Sequence, residues 1–199
     1  RKVGRGTELL AKTVPGNVLD VIGPLGQGFP FPPPGQEALL VAGGVGVAPL
    51  IFLADELQMS PEPRYVRGLF GAATEEGLVC WQELAERCEE FEAATEDGTA
   101  GTHGVVTDLL ERRLGRVRVD NVYTCGPRAM MAKVARLCEA AGVPCWASLE
   151  QFMGCGIGAC LACVVPTTTP SRSGPCFVRV CADGPVFPAS QIAWEEMDG

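Results

Sequence analysis

Four cysteines near the end of the chain, Cys155, Cys160, Cys163 and Cys181, constrain its folding more than any other feature. They stand as C-x4-C-x2-C followed by one distant cysteine, the plant-type ligand spacing of a [2Fe–2S] cluster, so the backbone between them has to wrap around a compact centre. The segment MGCGIGACLACVV suits that demand. Small residues admit close approach, and glycine adopts backbone angles closed to other residues. Peptide N–H groups turned inward then hydrogen-bond the cluster sulfur and help to set its potential. A chain holding such a centre moves single electrons.

Other uses of these thiols fit less well. Zinc asks for paired C-x2-C knuckles or histidines, and here one C-x2-C pair stands far in sequence from the lone His103. A disulfide framework belongs to small secreted chains, whereas this one has 199 residues and opens on no apolar signal segment. Spacing leaves both Cys176 and Cys181 open as the fourth ligand. Cys181 begins CADGPVF, where Asp183-Gly184-Pro185 reads as a tight turn holding a cysteine at a fixed angle. Cys176 follows PTTTPSRSGP, which reads as a solvated loop between two strands of a hairpin. Turn chemistry therefore favours Cys181. Cys80, Cys88, Cys138 and Cys145 fall in helix or strand patterns and are expected to be small buried hydrophobes.

A chain of 199 residues with 47% hydrophobic residues can form one compact domain with a small appendage. A formal charge of −8 without a basic cluster argues against nucleic acid or an anionic membrane surface as partner. No apolar run reaches the ~18 residues of a membrane span. Ten cysteines without a secretion signal fit a reducing compartment, with the cytoplasm as the expected location. The chain opens on Arg1 inside what reads as a structured motif, so a fragment of a longer protein is expected.

Residues 37–149 alternate short apolar runs with amphipathic stretches, the pattern of parallel β–α units. ALLVAG, YVRGLF, FEAAT, VDNVYTC and PCWASL read as strands, and PLIFLADELQ, CWQELAERC, VVTDLLERRL and the stretch from Arg128 to Ala141 as helices. This predicts an α/β domain with a parallel five-stranded sheet, helices on both faces, and ligand sites at the C-terminal strand ends. Residues 1–36, containing NVLDVIGPLGQGF and FPPPG, read as the β-rich tail of a separate barrel-like domain. Residues 150–199 form the cysteine-bearing segment.

Two turns suggest nucleotide binding. Gly43, Gly44 and Gly46 lie where the first strand gives way to a helix, so the backbone can approach a pyrophosphate and the helix N-terminus favours the anion. The motif departs from G-x-G-x-x-G, no acidic residue closes the second strand, and Glu75 and Glu76 lie beyond it, so a tight turn without ligand stays open as a reading. Cys125, Gly126 and Pro127 follow a second strand and begin a helix. In a doubly wound sheet that strand end lies beside the first, which would bring the Cys125 thiol to the border of a nicotinamide ring. His103, in GTHGVV, reads as a loop residue on the same side.

GRGTELL, GPLGQGF, GGVGVAP, YTCGP and the cysteine segment, in this order, resemble the ferredoxin–NADP reductase superfamily. GCGIGACLACVV with CADGPVF is similar to the electron-transfer-subunit family of NAD-linked dihydroorotate dehydrogenases. The resemblance implies an FAD-binding barrel, of which this chain holds only the tail, an NAD-binding α/β domain, and a C-terminal [2Fe–2S] segment. It implies that Gly6 and Thr7 contact FAD, that Gly23, Pro24, Leu25 and Gly26 border the flavin, and that Gly43, Gly44, Gly46, Cys125, Gly126 and Pro127 shape the NAD⁺ site. Cys155, Cys160, Cys163 and Cys181 would ligate the cluster. It further implies an FMN-containing catalytic partner, two copies of each subunit, and electron flow from that FMN through cluster and FAD to NAD⁺. No acid–base pair or nucleophile–histidine arrangement is needed, because the cofactors carry the reaction. The alternatives are another reductase of the superfamily, linked to ferredoxin, sulfide or a hydrogenase, and a zinc-binding interaction module.

Overall fold

The computed structural model of the chain describes residues 2–62, 65–171 and 174–197. Its first element is a short helix, α1 (Arg5–Leu10), with no buried residue. Contrary to the β-rich expectation, the described residues before Glu37 contain no strand. NVLDVIG carries no regular secondary structure, with Val18 90% and Val21 83% exposed. A strand needs a neighbour for its backbone groups and apolar side chains, and among the described residues no strand pairs with this stretch.

The α/β unit begins at β1 (Glu37–Gly43), buried along its whole length as a central parallel strand should be. It is followed by α2 (Val47–Met59), β2 (Tyr65–Ala72), α3 (Trp81–Ala85), β3 (Glu90–Thr95), β4 (Thr102–His103), α4 (Val106–Leu114), β5 (Asn121–Cys125), α5 (Arg128–Ala141) and β6 (Cys145–Ser148). The period-2 geometry of β1 divides two cores. Ala38, Leu40 and Ala42 face Leu50, Leu53 and Leu57 of α2 and Leu84 of α3. Leu39 and Val41 face Leu109 and Leu110 of α4 and Val134 of α5.

The cysteine-bearing end contributes the hairpin β7 (Val164–Ser171) and β8 (Gly174–Arg179), then β9 (Val186–Pro188). The threonine-rich stretch read as a solvated loop is thus mostly strand. Strand order is β4-β3-β2-β1-β5-β6-β9, parallel except for β9, which runs antiparallel to β6. The predicted five strands become seven. The additions are two or three residues long, too short for any periodic signal. β4 contains His103, exposed at the sheet edge.

A third core ties the cysteine segment to the α/β unit. Met131 and Ala135 of α5 pack with Ala147, Leu149, Cys163, Val165, Val180, Cys181 and Phe187. Among the other cysteines, Cys138 is buried and Cys88 and Cys145 are half-buried, but Cys80 is exposed. It lies at φ 54° ahead of α3, outside the helix it was expected to pack within.

Candidate functional site

The four sequence-selected thiols gather as two pairs. The Sγ atoms of Cys163 and Cys181 are 3.2 Å apart and buried, and the Cys181 N–H donates to Cys163 Sγ at 3.4 Å. Cys155 Sγ accepts the N–H groups of Ala159 at 3.3 Å and Cys160 at 3.4 Å, and the Cys160 thiol bonds it as well. These donors, led by the Cys160 N–H, bring the Cys155 thiol down to about 6, so its thiolate is favoured near neutrality. Within the buried pair, the Cys181 N–H lowers Cys163, while the bond to Cys163 pushes Cys181 up.

Among the described residues, no three His, Cys, Asp or Glu side chains converge as a mononuclear metal site requires. Two thiol pairs with backbone N–H groups aimed at sulfur are instead the donor set of a two-iron cluster, which takes four cysteine ligands, two on each iron. The residues present therefore fit a [2Fe–2S] group. Cys176 stands opposite Thr167 in the hairpin, three rungs from the Val164–Arg179 pair that adjoins Cys163 and Val180. At ~3.3 Å per rung that is about 10 Å along the ladder, so the fold brings Cys181 and not Cys176 to Cys163.

At the C-terminal end of the sheet, β1 and β5 run side by side with Ala42 opposite Cys125. The Thr124 hydroxyl donates to the Val41 carbonyl at 2.9 Å. The two glycine-bearing turns pack into each other. A Cβ on Gly43 would lie 2.5 Å from Met130 Sδ and 2.7 Å from Pro127 Cδ. One on Gly46 would overlap the Cys125 carbonyl and the Gly126 nitrogen, and one on Gly126 would come 2.9 Å from Gly43 Cα. These three glycines thus have a packing reason to be glycine that does not depend on a ligand. Gly44 differs: at φ +52° it faces open space, with nothing within 4 Å of an added Cβ. Burial foremost pushes the Cys125 thiol up to about 11, against a bond from Ser148 that lowers it.

The GPLGQGF turn reaches the cysteine segment. Gln27 N–H donates to the Gly184 carbonyl at 2.5 Å, and Gly26, at φ +73°, leaves no room for a Cβ against that carbonyl and Pro185. Leu25 approaches Gly156 in the Cys155–Cys160 loop, its Cδ1 3.9 Å from where a Cβ would stand. From the other side, Leu149 N–H, just past β6, donates to the Pro185 carbonyl at 2.9 Å. A cavity of about 360 Å³ opens where these segments meet, lined by Leu25, Phe29, Phe31, Phe52 and Ser148 among others. Its aromatic and aliphatic walls suit a flat ring system. Gly23 and Pro24 are exposed beside it. Gly6 and Thr7 are not among its lining residues: the Thr7 hydroxyl bonds within its own turn, accepting from Val3 and Gly4 and donating to the Gly4 carbonyl at 2.9 Å.

Sequence reasoning missed Arg179. Its guanidinium forks onto Asp183, Nε to Oδ2 at 3.0 Å and Nη2 to Oδ1 at 2.7 Å, and holds that carboxyl down to about 2. An arginine four residues ahead of an aspartate around a candidate ligand was the available signal.

Two known domains match the chain: an oxidoreductase NAD-binding domain over residues 40–136, and the iron–sulfur cluster binding domain of dihydroorotate dehydrogenase B over residues 150–193. The solved structure of an NADH-dependent reduced ferredoxin-NADP oxidoreductase superposes with a TM-score of 0.82 at 34% identity, covering 99% of this chain and 68% of that one. The fold is thus ferredoxin-reductase-like. The dihydroorotate dehydrogenase B (NAD(+)) electron transfer subunit of Desulforamulus reducens is 38% identical over 98% of this chain and 73% of its own length. That of Bacillus caldolyticus is 42% identical over 96% and 72%. With these matches spanning nearly the whole chain, α/β unit and cysteine-bearing segment alike, the chain belongs to the family of dihydroorotate dehydrogenase B (NAD(+)) electron transfer subunits.

Proposed function

We propose that this chain is the electron-transfer subunit of an NAD-linked dihydroorotate dehydrogenase in pyrimidine biosynthesis, relaying electrons from an FMN-containing catalytic partner to NAD⁺. The observation that carries this reading is the meeting of three segments at one end of the sheet: the Gly23–Gly26 turn against Gly184 and Pro185, the Cys125 turn through its bond with Ser148 next to Leu149, whose N–H reaches Pro185, and the paired thiols, of which Cys181 lies three residues before Gly184. Bound there, a [2Fe–2S] cluster supplies one-electron chemistry and FAD the exchange between single electrons and hydride. Cys155, Cys160, Cys163 and Cys181 would hold the cluster, with the Ala159 and Cys160 N–H groups aimed at sulfur. The Gly23–Gly26 turn would border the flavin, whereas Gly6 and Thr7, which do not line the cavity beside it, are given no flavin contact. Gly44, Cys125 and the start of α2 would meet the dinucleotide, where unpaired helix N–H groups favour phosphate.

This assigns residues 1–36 to the FAD domain, 37–149 to the NAD domain and 150–199 to the cluster segment. Among the described residues no helix is long and apolar enough to cross a membrane; the cytoplasm stays the proposed location on the ground of the cysteine content. The rim of the cysteine loop is apolar and exposed, with Phe152 88%, Met153 53% and Ile157 58% accessible, whereas Leu149 is buried in the third core. We assign the first three to docking of the catalytic subunit, in a complex of two copies of each. Dihydroorotate oxidation itself belongs to that partner, and this chain alone should show none.

The decisive experiment co-expresses the chain with an FMN-containing catalytic subunit and measures flavin, iron and dihydroorotate:NAD⁺ activity together. A complex that binds iron and flavin but passes no electrons from dihydroorotate would favour the second reading, a reductase serving another partner. The 34% identity to an NADH-dependent reduced ferredoxin-NADP oxidoreductase keeps that reading in view. A colourless, zinc-loaded chain would turn the assignment to an interaction module.

A further inference from the structure

Arg179 closes β8 and reaches in two directions. Besides its fork on Asp183, its Nη1 donates to the Gly158 carbonyl at 3.2 Å. The backbone reinforces the turn: Arg179 N–H donates to Asp183 Oδ2 at 2.8 Å, and the Arg179 carbonyl accepts the N–H groups of Ala182 at 3.2 Å and Asp183 at 2.8 Å. Cys181 lies inside this closed turn. Gly158 lies inside the Cys155–Cys160 loop and directs its own N–H to the Cys181 sulfur. At φ +82° a Cβ on Gly158 would come 2.9 Å from Ala182 Cβ and 3.0 Å from Arg179 Nη1. One side chain therefore joins two ligand-bearing segments that are far apart in sequence.

We propose that Arg179 is the positioning residue of the cluster site, holding the Cys181 turn against the Cys155–Cys160 loop, and that its cation raises the potential at which the bound cluster accepts an electron. The proposal rests on the reading that these four cysteines hold a [2Fe–2S] group. Reduction adds one negative charge to a centre already ringed by thiolates, so a nearby cation favours the reduced form and a nearby carboxylate opposes it. Arginine suits both tasks. Its guanidinium stays charged, and its planar fork matches a carboxylate while sparing a further N–H for the Gly158 carbonyl. Asp183 is then the counterweight: it shapes the turn and offsets part of the cation. Charge and geometry separate by substitution, because lysine keeps the first and loses the second.

The test uses the whole chain purified with its catalytic partner, comparing R179Q, R179K and D183N for iron per chain, the [2Fe–2S] visible and EPR spectra, loss of iron to a chelator, and midpoint potential in an anaerobic titration. In R179Q the reduced-to-oxidised ratio at fixed potential should fall about tenfold, equivalent to about 59 mV for one electron. In D183N it should move the opposite way. R179K should keep the wild-type potential and lose iron to the chelator faster. If R179Q retains no iron, the opposite-signed shift in D183N and the unchanged potential with faster iron loss in R179K still decide. Wild-type potential and iron retention across the variants would overturn the proposal and leave the cluster reading intact. A wild-type complex without a [2Fe–2S] spectrum would remove both.

Discussion

Cys163 and Cys181 stand 18 positions apart in sequence, yet their sulfur atoms are 3.2 Å apart in the core. The contact depends on the hairpin: β7 leaves Cys163, β8 returns to Val180, and the Val180 N–H closes the ladder on the Cys163 carbonyl at 3.1 Å.

Replacing Cys181 by Ser should therefore abolish the cluster, and replacing Cys176 by Ser should not. Iron analysis and the visible absorption of the two purified variants check this. Retained iron in C181S with loss in C176S would reverse the ligand assignment.

The glycines of the two packed turns should divide by what surrounds them. Gly46→Ala forces a Cβ into the Cys125 carbonyl and should destabilise the fold by about 3 kcal/mol, the upper range for overpacking. Gly44→Ala meets open space and should cost only about 1 kcal/mol for its left-handed backbone. If a dinucleotide approaches there, G44A should raise KM for NADH in an electron-acceptor assay while urea unfolding changes little. An unchanged KM would leave Gly44 a turn residue and nothing more.

Cys125 should be slow to alkylate. With its thiol at about 11, chiefly through burial, it is neutral from pH 7 to 9. Its iodoacetamide labelling should climb about tenfold per pH unit until that value is reached. Peptide mapping by mass spectrometry separates it from Cys80 and Cys160, which are exposed. NADH should slow the reaction further if the thiol borders the nicotinamide.

Phe152 is 88% exposed beside the cysteine loop. Phe152→Asp should weaken association with the catalytic subunit by about 2 kcal/mol, as loss of an aromatic interface anchor does, without loss of iron. Calorimetric titration of the two subunits, with iron assayed in parallel, provides the check. Unaltered affinity would move the interface away from this rim.

Local patterns explain how much could be read from the chain. β1, β5 and α5 carry long apolar or amphipathic periods whose burial depends mainly on their own residues, and the strand and helix readings there match the structure. Cys155, Cys160 and Cys163 were likewise legible as candidate ligands, since their spacing is a property of neighbouring residues, whereas the fourth candidate, Cys181, was favoured by its turn and meets Cys163 only through the hairpin. β4 and β9 were not, because two or three residues carry no period and pair only where the sheet edge already stands. The strand expected at NVLDVIG had the right composition, but a strand also needs a partner, and that stretch stays irregular and exposed.

By itself the sequence determined the chemistry: four thiols at cluster spacing, two glycine-bearing turns, and an alternating α/β order. Tertiary structure decided which thiols pair, that Gly43, Gly46 and Gly126 serve the packing of one turn on another, and that Arg179 ties Gly158 to Asp183. The physical reason is range. Ligand spacing and periodicity are properties of adjacent residues, whereas a contact between segments 18 or 83 residues apart exists only once the hairpin and the parallel sheet have brought them together.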